Sequence, residues 1–302
     1  MGTKGKEIKM KRSLISGCLV AVVAMLLSGC VGVLQTQWVP VRVGFDPVIG
    51  HDTRAEESVP FPAERTFNVW AVSAAGGEVY IDDETISCGS DGWLSSTIWP
   101  HDELSFHAYS PSDLNPQFSK KDGLTIKDFD CSGGHVDILV AKTGNIGQDA
   151  DSLVILPFEH ALSRVEFRMQ QSLDSQISVR LRKIEMIGFA SKGTYCSSAR
   201  DRWTPGAKDF SYVAFEDQTG VRLTSAPIYL GEEFYTIPQV CDARVEVTYD
   251  IKYGNAAWIP QTDAIKRLET FWEPNTHYTY TLNLTETKLD VTTGISNWNN
   301  RE

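Results

Sequence analysis

The sequence predicts an all-β protein built as two antiparallel β-sandwich domains. Three observations carry that expectation. Apolar residues recur at every second position in run after run beyond residue 38. Those runs are rich in Val, Thr, Tyr and Trp, and turn-forming clusters separate them. Successive side chains leave a pleated backbone on opposite sides, so a period of two gives a strand one buried face. β-branched and aromatic side chains suit that half-buried surface. Long stretches with the 3.6-residue spacing of an amphipathic helix are hard to find. Short, regularly spaced strands of this kind close into sandwiches.

The first segment is read as an export signal. Lys4, Lys6, Lys9, Lys11 and Arg12 lead into an apolar run, Leu14 to Leu27, that ends at Leu27-Ser28-Gly29-Cys30. A basic start, an apolar middle and a small-residue end make a signal peptide over residues 1–29. A spanning helix needs about 20 apolar residues, more than this run supplies. The closing residues resemble a bacterial lipobox. That likeness implies cleavage between Gly29 and Cys30, acylation of Cys30, and anchorage to outer-membrane lipid through its acyl chains. Residues 30–37 would then be a lipidated tether.

The strands come in order. Val39, Val41, Val43 and Phe45 alternate with Trp38, Pro40, Arg42 and Gly44, which defines the first. Leu104 to Phe106 is a strand between His101 and His107. At Leu156-Pro157-Phe158 a strand ends, because proline fits an edge or crossover and not the middle of a sheet. The boundary falls there, giving domains over residues 38–158 and 159–302. Val165, Phe167 and Met169 alternate next, then Ile177, Val179 and Leu181, then Val245, Val247, Tyr249, Ile251 and Tyr253. Tyr278, Tyr280, Leu282 and Leu284 alternate with threonines and Asn283, and Leu289 and Val291 repeat the pattern near the C-terminus. Gly76-Gly77, Asp82-Asp83, Gly89-Ser90-Asp91-Gly92, Ser132-Gly133-Gly134 and Gly254-Asn255 mark turns between them.

Charge and cysteine usage narrow the function. Residues 1–29 hold five Lys/Arg and one Glu, so the remainder carries 23 basic and 38 acidic side chains, a net of −15. A basic nucleic-acid footprint is absent. Of six cysteines, Cys18 leaves with the signal and Cys30 is the lipidation site. Cys88, Cys131, Cys196 and Cys241 remain; they form bridges, with Cys88–Cys131 and Cys196–Cys241 the tidy pairing, or stay as buried thiols.

Catalytic and metal signals are missing. His51, His101, His107, His135, His160 and His277 are isolated, and no metal-ligand pair, nucleophile elbow or phosphate loop occurs. No cofactor, no metal and no enzymatic activity are expected. Trp93, Trp99, Tyr109, Trp203, Trp258, Trp272 and Trp298 are candidates for a sugar-stacking platform or for core packing; Trp258, beside a turn, is the one expected at the surface.

Several motifs converge on one family. Trp99-Pro100 followed by Leu104-Ser105-Phe106-His107-Ala108-Tyr109-Ser110-Pro111 resembles a segment of the Bacteroidetes fimbrillin-like proteins. Asp137-Ile138-Leu139-Val140-Ala141 is similar to another of their strands. Leu156-Pro157-Phe158-Glu159-His160-Ala161-Leu162-Ser163-Arg164-Val165 resembles their most specific signature. Tyr278-Thr279-Tyr280-Thr281-Leu282 and Gly294-Ile295-Ser296-Asn297-Trp298 resemble the closing strands. The resemblance implies two transthyretin-like sandwiches and a structural or adhesive subunit of type V-like fimbriae, or an accessory anchor or tip protein. It implies a lipid-anchored outer-membrane or surface location, with other fimbrial subunits as partners and a host protein or glycan as ligand.

It further implies proteolysis after an arginine in the loop past the first strand, Arg54 by preference and Arg65 as second choice. The releasable strand would be Val39, Val41, Val43 and Phe45, and the strand donated in its place Leu289, Val291, Ile295 and Trp298. The alternative class is an outer-membrane glycan-binding lipoprotein of the polysaccharide-uptake type, which shares lipobox and sandwiches.

Overall fold

Alternation continues past Phe45 through Pro47 to Ile49, and the first described strand covers Arg42–Ile49, with Val41 just outside it. A computed structural model describes residues 41–50, 58–100, 102–148, 153–265, 267–268 and 270–298. The first half holds β1 (Arg42–Ile49), β2 (Val59–Pro60), β3 (Phe67–Ser73), β4 (Val79–Ile86), β5 (Cys88–Gly89), β6 (Gly92–Ile98), β7 (Leu104–Ser110), β8 (Gln117–Ser119), β9 (Gly123–Asp130), β10 (Leu139–Lys142) and β11 (Val154–His160). The second holds β12 (Ser163–Ser172), β13 (Ile177–Phe189), β14 (Lys192–Cys196), β15 (Trp203–Pro205), β16 (Phe210–Arg222), β17 (Ile228–Thr236), β18 (Val240–Cys241), β19 (Arg244–Tyr253), β20 (Ile259–Ile265), β21 (Thr270–Phe271), β22 (Thr276–Thr285) and β23 (Leu289–Asn297). A single 3-10 turn, Ser112–Leu114, is the only helical element among the described residues.

In the first half one sheet runs β4-β3-β7-β10-β11-β1-β6-β5, with β2 added to β1. It doubles over at β10–β11 so that its two ends pack on each other. Phe45 of β1 meets Phe67 of β3 and Phe106 of β7 edge-on, each at 5.7 Å. The fold-over centres on Pro157, which lies inside β11 and does not end it. The Phe158 carbonyl accepts from the Gly50 amide at 2.9 Å, so residue 158 faces β1 and Pro157 faces away from it. On that far side β10 pairs only from Glu159 onward, so the missing proline N–H costs no ladder bond.

The second half is a sandwich of two four-stranded sheets, β17-β12-β22-β23 and β16-β13-β19-β20. Val165, Phe167, Leu181, Ile184, Val247 and Tyr280 fill the space between them. Most ladders are antiparallel, as expected, but β1 runs parallel to β11 and β12 runs parallel to β22. Each parallel pair joins strands about a hundred residues apart, a separation that permits the crossover a parallel ladder requires.

A third structure ties the halves together. β8 and β9 from the first half and β14 and β15 from the second form one sheet in the order β15-β14-β9-β8. Beneath it Trp70, Tyr109, Ile138, Leu162, Tyr195, Trp203, Ile237 and Trp298 make a further apolar core drawn from both halves.

Candidate functional site

β1 is an interior strand, and the slot it fills is the candidate site. One wall is β11, paired in parallel from Phe45–Val154 to Ile49–Phe158. The other is β6, paired antiparallel through Gly44–Leu94 and Phe45–Trp93, after which β2 takes over at Val48–Pro60. Val43, Phe45, Pro47 and Ile49 point inward and are buried, while Arg42 and Asp46 are exposed. Phe61, Phe67, Trp93 and Phe158 surround the slot as a ring cluster, with Phe61 and Phe158 centroids 4.9 Å apart. Gly44 is needed on the outer side, because a Cβ there would lie 2.7 Å from a Leu153 methyl and 3.1 Å from one of Leu94.

Of the releasable strand read from sequence, Val43 and Phe45 are buried, Val41 is half-buried, and Val39 lies outside the described residues. Pro47 and Ile49 complete the inward row beyond Phe45, where the sequence-read strand stops; the unbroken alternation at 43, 45, 47 and 49 is the signal that finds them. Arg54 lies outside the described residues, as do Gly29 and Cys30. Arg65 is half-buried and engaged. Its guanidinium sits 3.6 Å from Asp137, donates to Ser110 Oγ at 3.4 Å and lies over the Phe61 ring.

The proposed donor is docked at home. β23 pairs with β22 over nine positions, from Leu284–Leu289 to Thr276–Asn297, as the edge strand of its sheet. Leu289 is buried, Val291 is half-buried, and Ile295 is 66% exposed although it sits on the core-facing row. Trp298 closes the strand: it is buried, stacked on His160 at 4.2 Å and 15°, and its carbonyl accepts from Arg164 Nη1 at 2.8 Å. His160 Nδ1 in turn meets Asp137 at 2.8 Å, so the end of β23 is pinned where the halves join.

The four described cysteines are free, which corrects the bridged pairing. Cys131 and Cys241 are buried, and burial pushes their thiols up to about 11 and about 12. Cys131 Sγ donates to the Ser191 carbonyl at 3.1 Å, Cys88 is exposed, and Cys196 is half-buried. The aromatics do not assemble a sugar platform among the described residues. Trp99, Tyr109, Trp203, Trp272 and Trp298 are buried, Trp93 packs in the ring cluster, and Trp258 carries cations over its ring.

One titratable cluster stands apart from the slot. Glu166, Glu233 and His277 bring ligand atoms within 4.8 Å of one another. Both carboxylates are already engaged, Glu233 by Arg164 and Glu166 by Arg168 at 3.0 Å and by Thr279 at 3.1 Å. Burial, then the Arg164 charge, pushes the His277 imidazole below its usual range. Two guanidiniums balance two carboxylates, so the group has no charge deficit for a cation to fill.

Comparison with known proteins adds to this geometry. The fimbrillin-like family matches residues 53–298. A fimbrial protein from Bacteroides vulgatus ATCC 8482 superposes with a TM-score of 0.58 at 16% identity, covering 85% of this chain and 99% of that one. A candidate cell-adhesion protein from Bacteroides ovatus ATCC 8483 gives 0.55 at 13% identity, covering 88% and 100%. A second, from Bacteroides uniformis ATCC 8492, gives 0.52 at 15% identity, covering 85% and 99%. At these identities the likeness is one of fold. No curated protein matches the chain significantly.

Proposed function

Because this chain belongs to the fimbrillin-like family, we propose that it is a fimbrial subunit or an accessory anchor or tip protein, with a structural or adhesive role. It is exported as a lipoprotein, acylated at Cys30 and held on outer-membrane lipid at the cell surface or within a fimbrium. Its partners are other fimbrial subunits, and assembly proceeds by strand exchange at the β1 slot. One observation carries the exchange: β1 lies between β11 and β6 with its apolar row buried, directly before the segment that contains Arg54. A protease cut there severs β1 from the remainder of the chain. Loss of β1 leaves two unpaired strand edges and four empty apolar positions, which a strand from another subunit can fill.

The docked β23 supplies the test. Thr281 and Thr292 are directly paired, and opposite residues in an antiparallel ladder lie within disulfide reach, about 4.5–5.5 Å. In a Cys88→Ser, Cys196→Ser background, Thr281→Cys with Thr292→Cys locks β23 to its own sheet. Trypsin-cut protein should form oligomers, visible by sizing and electron microscopy, that the closed bridge blocks and reduction restores. Oligomers indifferent to the bridge would exclude β23 as donor, and a cut protein that stays monomeric would refute exchange. Separately, Cys30→Ala should abolish acyl labelling and membrane fractionation; unchanged labelling would refute the lipobox.

A further inference from the structure

The chain is acidic, yet the outer face of the β16-β13-β19-β20 sheet gathers Arg180, Arg182, Arg222 and Lys252 around Trp258. Register sets Arg180 opposite Arg222 on one side and Asp250 on the other. The Arg180 carbon Cζ lies 4.5 Å from the Trp258 ring centre and Lys252 Nζ lies 5.2 Å from it. Asp250 is buried and accepts from Arg180 Nε at 2.7 Å and Arg182 Nε at 2.8 Å. Burial raises that carboxyl and the two guanidiniums more than offset it, so it stays charged and holds both forks in place. Arg182 also donates to the Gln218 carbonyl.

Gly220 is the seat for the two arginine stems. Its φ is +80°, and a Cβ there would lie 3.1–3.2 Å from carbons of Arg180 and Arg182. Asp217, whose carboxylate closes the turn by accepting from the Thr219 and Gly220 amides at 2.7 Å, is the other acid beside Arg182. Arg222 and Lys252 make no ion pair among the described residues. Farther along the same face the charges cancel locally, Lys183 with Glu185 at 2.6 Å and Arg244 with Glu246 at 2.7 Å. The uncompensated cations are therefore confined to one end of the sheet.

We propose that this face binds an acidic polysaccharide, a sugar chain bearing carboxylate or sulfate groups. Guanidinium groups fixed from beneath pair with two oxygens of a carboxylate or a sulfate, and an ammonium beside them adds a point charge. The Trp258 ring holds two cations and keeps them weakly hydrated, and so serves the anion and not the apolar side of a sugar. Width decides among polyanions. The remainder after residue 29 has a net charge of −15, which repels a broad anionic surface such as a bilayer or a duplex. A thin chain lying on an open sheet face meets only charges within a screening length, about 8 Å, and there the cations prevail. This surface is separate from the β1 slot, and the inference stands independently of strand exchange.

The test uses the full chain against immobilised heparin and polygalacturonate, with dextran as the neutral reference, at about 50 mM salt. Arg222→Glu with Lys252→Glu reverses one exposed and one half-buried charge, and Lys120→Glu with Lys192→Glu makes the same net change elsewhere, at exposed positions. A melting curve checks that each folds, and Arg222→Gln with Lys252→Gln gives a milder version. Binding to one or both acidic polysaccharides should fall about tenfold in the face variant and less than about twofold in the control. Equal losses in the two variants would overturn the proposal, as would no binding to either polysaccharide. Tighter binding to phosphatidylglycerol vesicles, single-stranded DNA or polyglutamate would overturn it in favour of that partner.

Discussion

Truncating Phe45 to alanine probes the slot most directly. The ring is 1% exposed and meets Phe67 and Phe106 edge-on. Phe→Ala in a core costs about 3–5 kcal/mol, including the cavity left behind. Two edge-to-face contacts, at about 0.5–1.5 kcal/mol each, set the value in the upper part of that range. Phe45→Leu retains most of the volume and should cost about half as much. Asp46→Ala, next along the strand but exposed, should stay within about 0.5 kcal/mol. Denaturant unfolding monitored by tryptophan fluorescence reads this, because Trp93 sits in the same ring cluster, 5.4 Å from Phe67. The four inward side chains together contribute roughly 6–12 kcal/mol, an upper estimate for an extended unfolded chain. That matches the stability of a whole domain, about 5–15 kcal/mol. Cut protein that sheds β1 should therefore lose its first-half core, and a peptide spanning Arg42 to Gly50 should restore it. A Phe45→Ala cost under about 1 kcal/mol, or cut protein as stable as intact, would refute the view that β1 holds this core.

Three further outcomes are expected. At pH 8 and without denaturant, iodoacetamide should modify Cys88, which is exposed, and Cys196, where burial is outweighed by hydrogen bonds around Ser198 that hold the thiol below its ordinary range. Cys131 and Cys241 should react only after unfolding, and four unreactive thiols would instead indicate bridges. His107, lowered to about 4 by burial and then by Lys142, is neutral when folded and takes up protons on unfolding. Stability should fall as pH drops from about 6.5 towards 4, on the order of 2 kcal/mol, and His107→Gln should flatten that slope; an unchanged slope in calorimetry would exclude the assignment. Trp298→Ala should speed amide exchange from Thr292 to Asn297, because the exposed middle of β23 is pinned by its ends; unchanged exchange would show that the ladder with β22 alone holds the strand.

Local periodicity made much of this fold legible. The alternations at Val165–Met169, Ile177–Leu181, Val245–Tyr253 and Tyr278–Leu284 each fall within an observed strand. A strand's side-chain period is a property of its own backbone, so it shows without knowledge of any partner. Proline misled at Pro157, the position taken as a strand end. Pro47 and Pro157 are inside strands, because whether a missing N–H matters depends on the neighbour on that side. Cysteine count could not tell a bridge from a free thiol either, since pairing depends on distances between residues far apart in sequence.

Residue order and short-range pattern were enough for the all-β class and for the family. Folding was needed to make β1 an interior strand, to join β8, β9, β14 and β15 in one sheet, and to dock β23 through Trp298 against His160. It alone brought Arg180, Lys252 and Trp258 onto one face. Strand order and side-chain convergence come from contacts between residues tens to hundreds of positions apart, where many registers satisfy the same alternation and packing selects one.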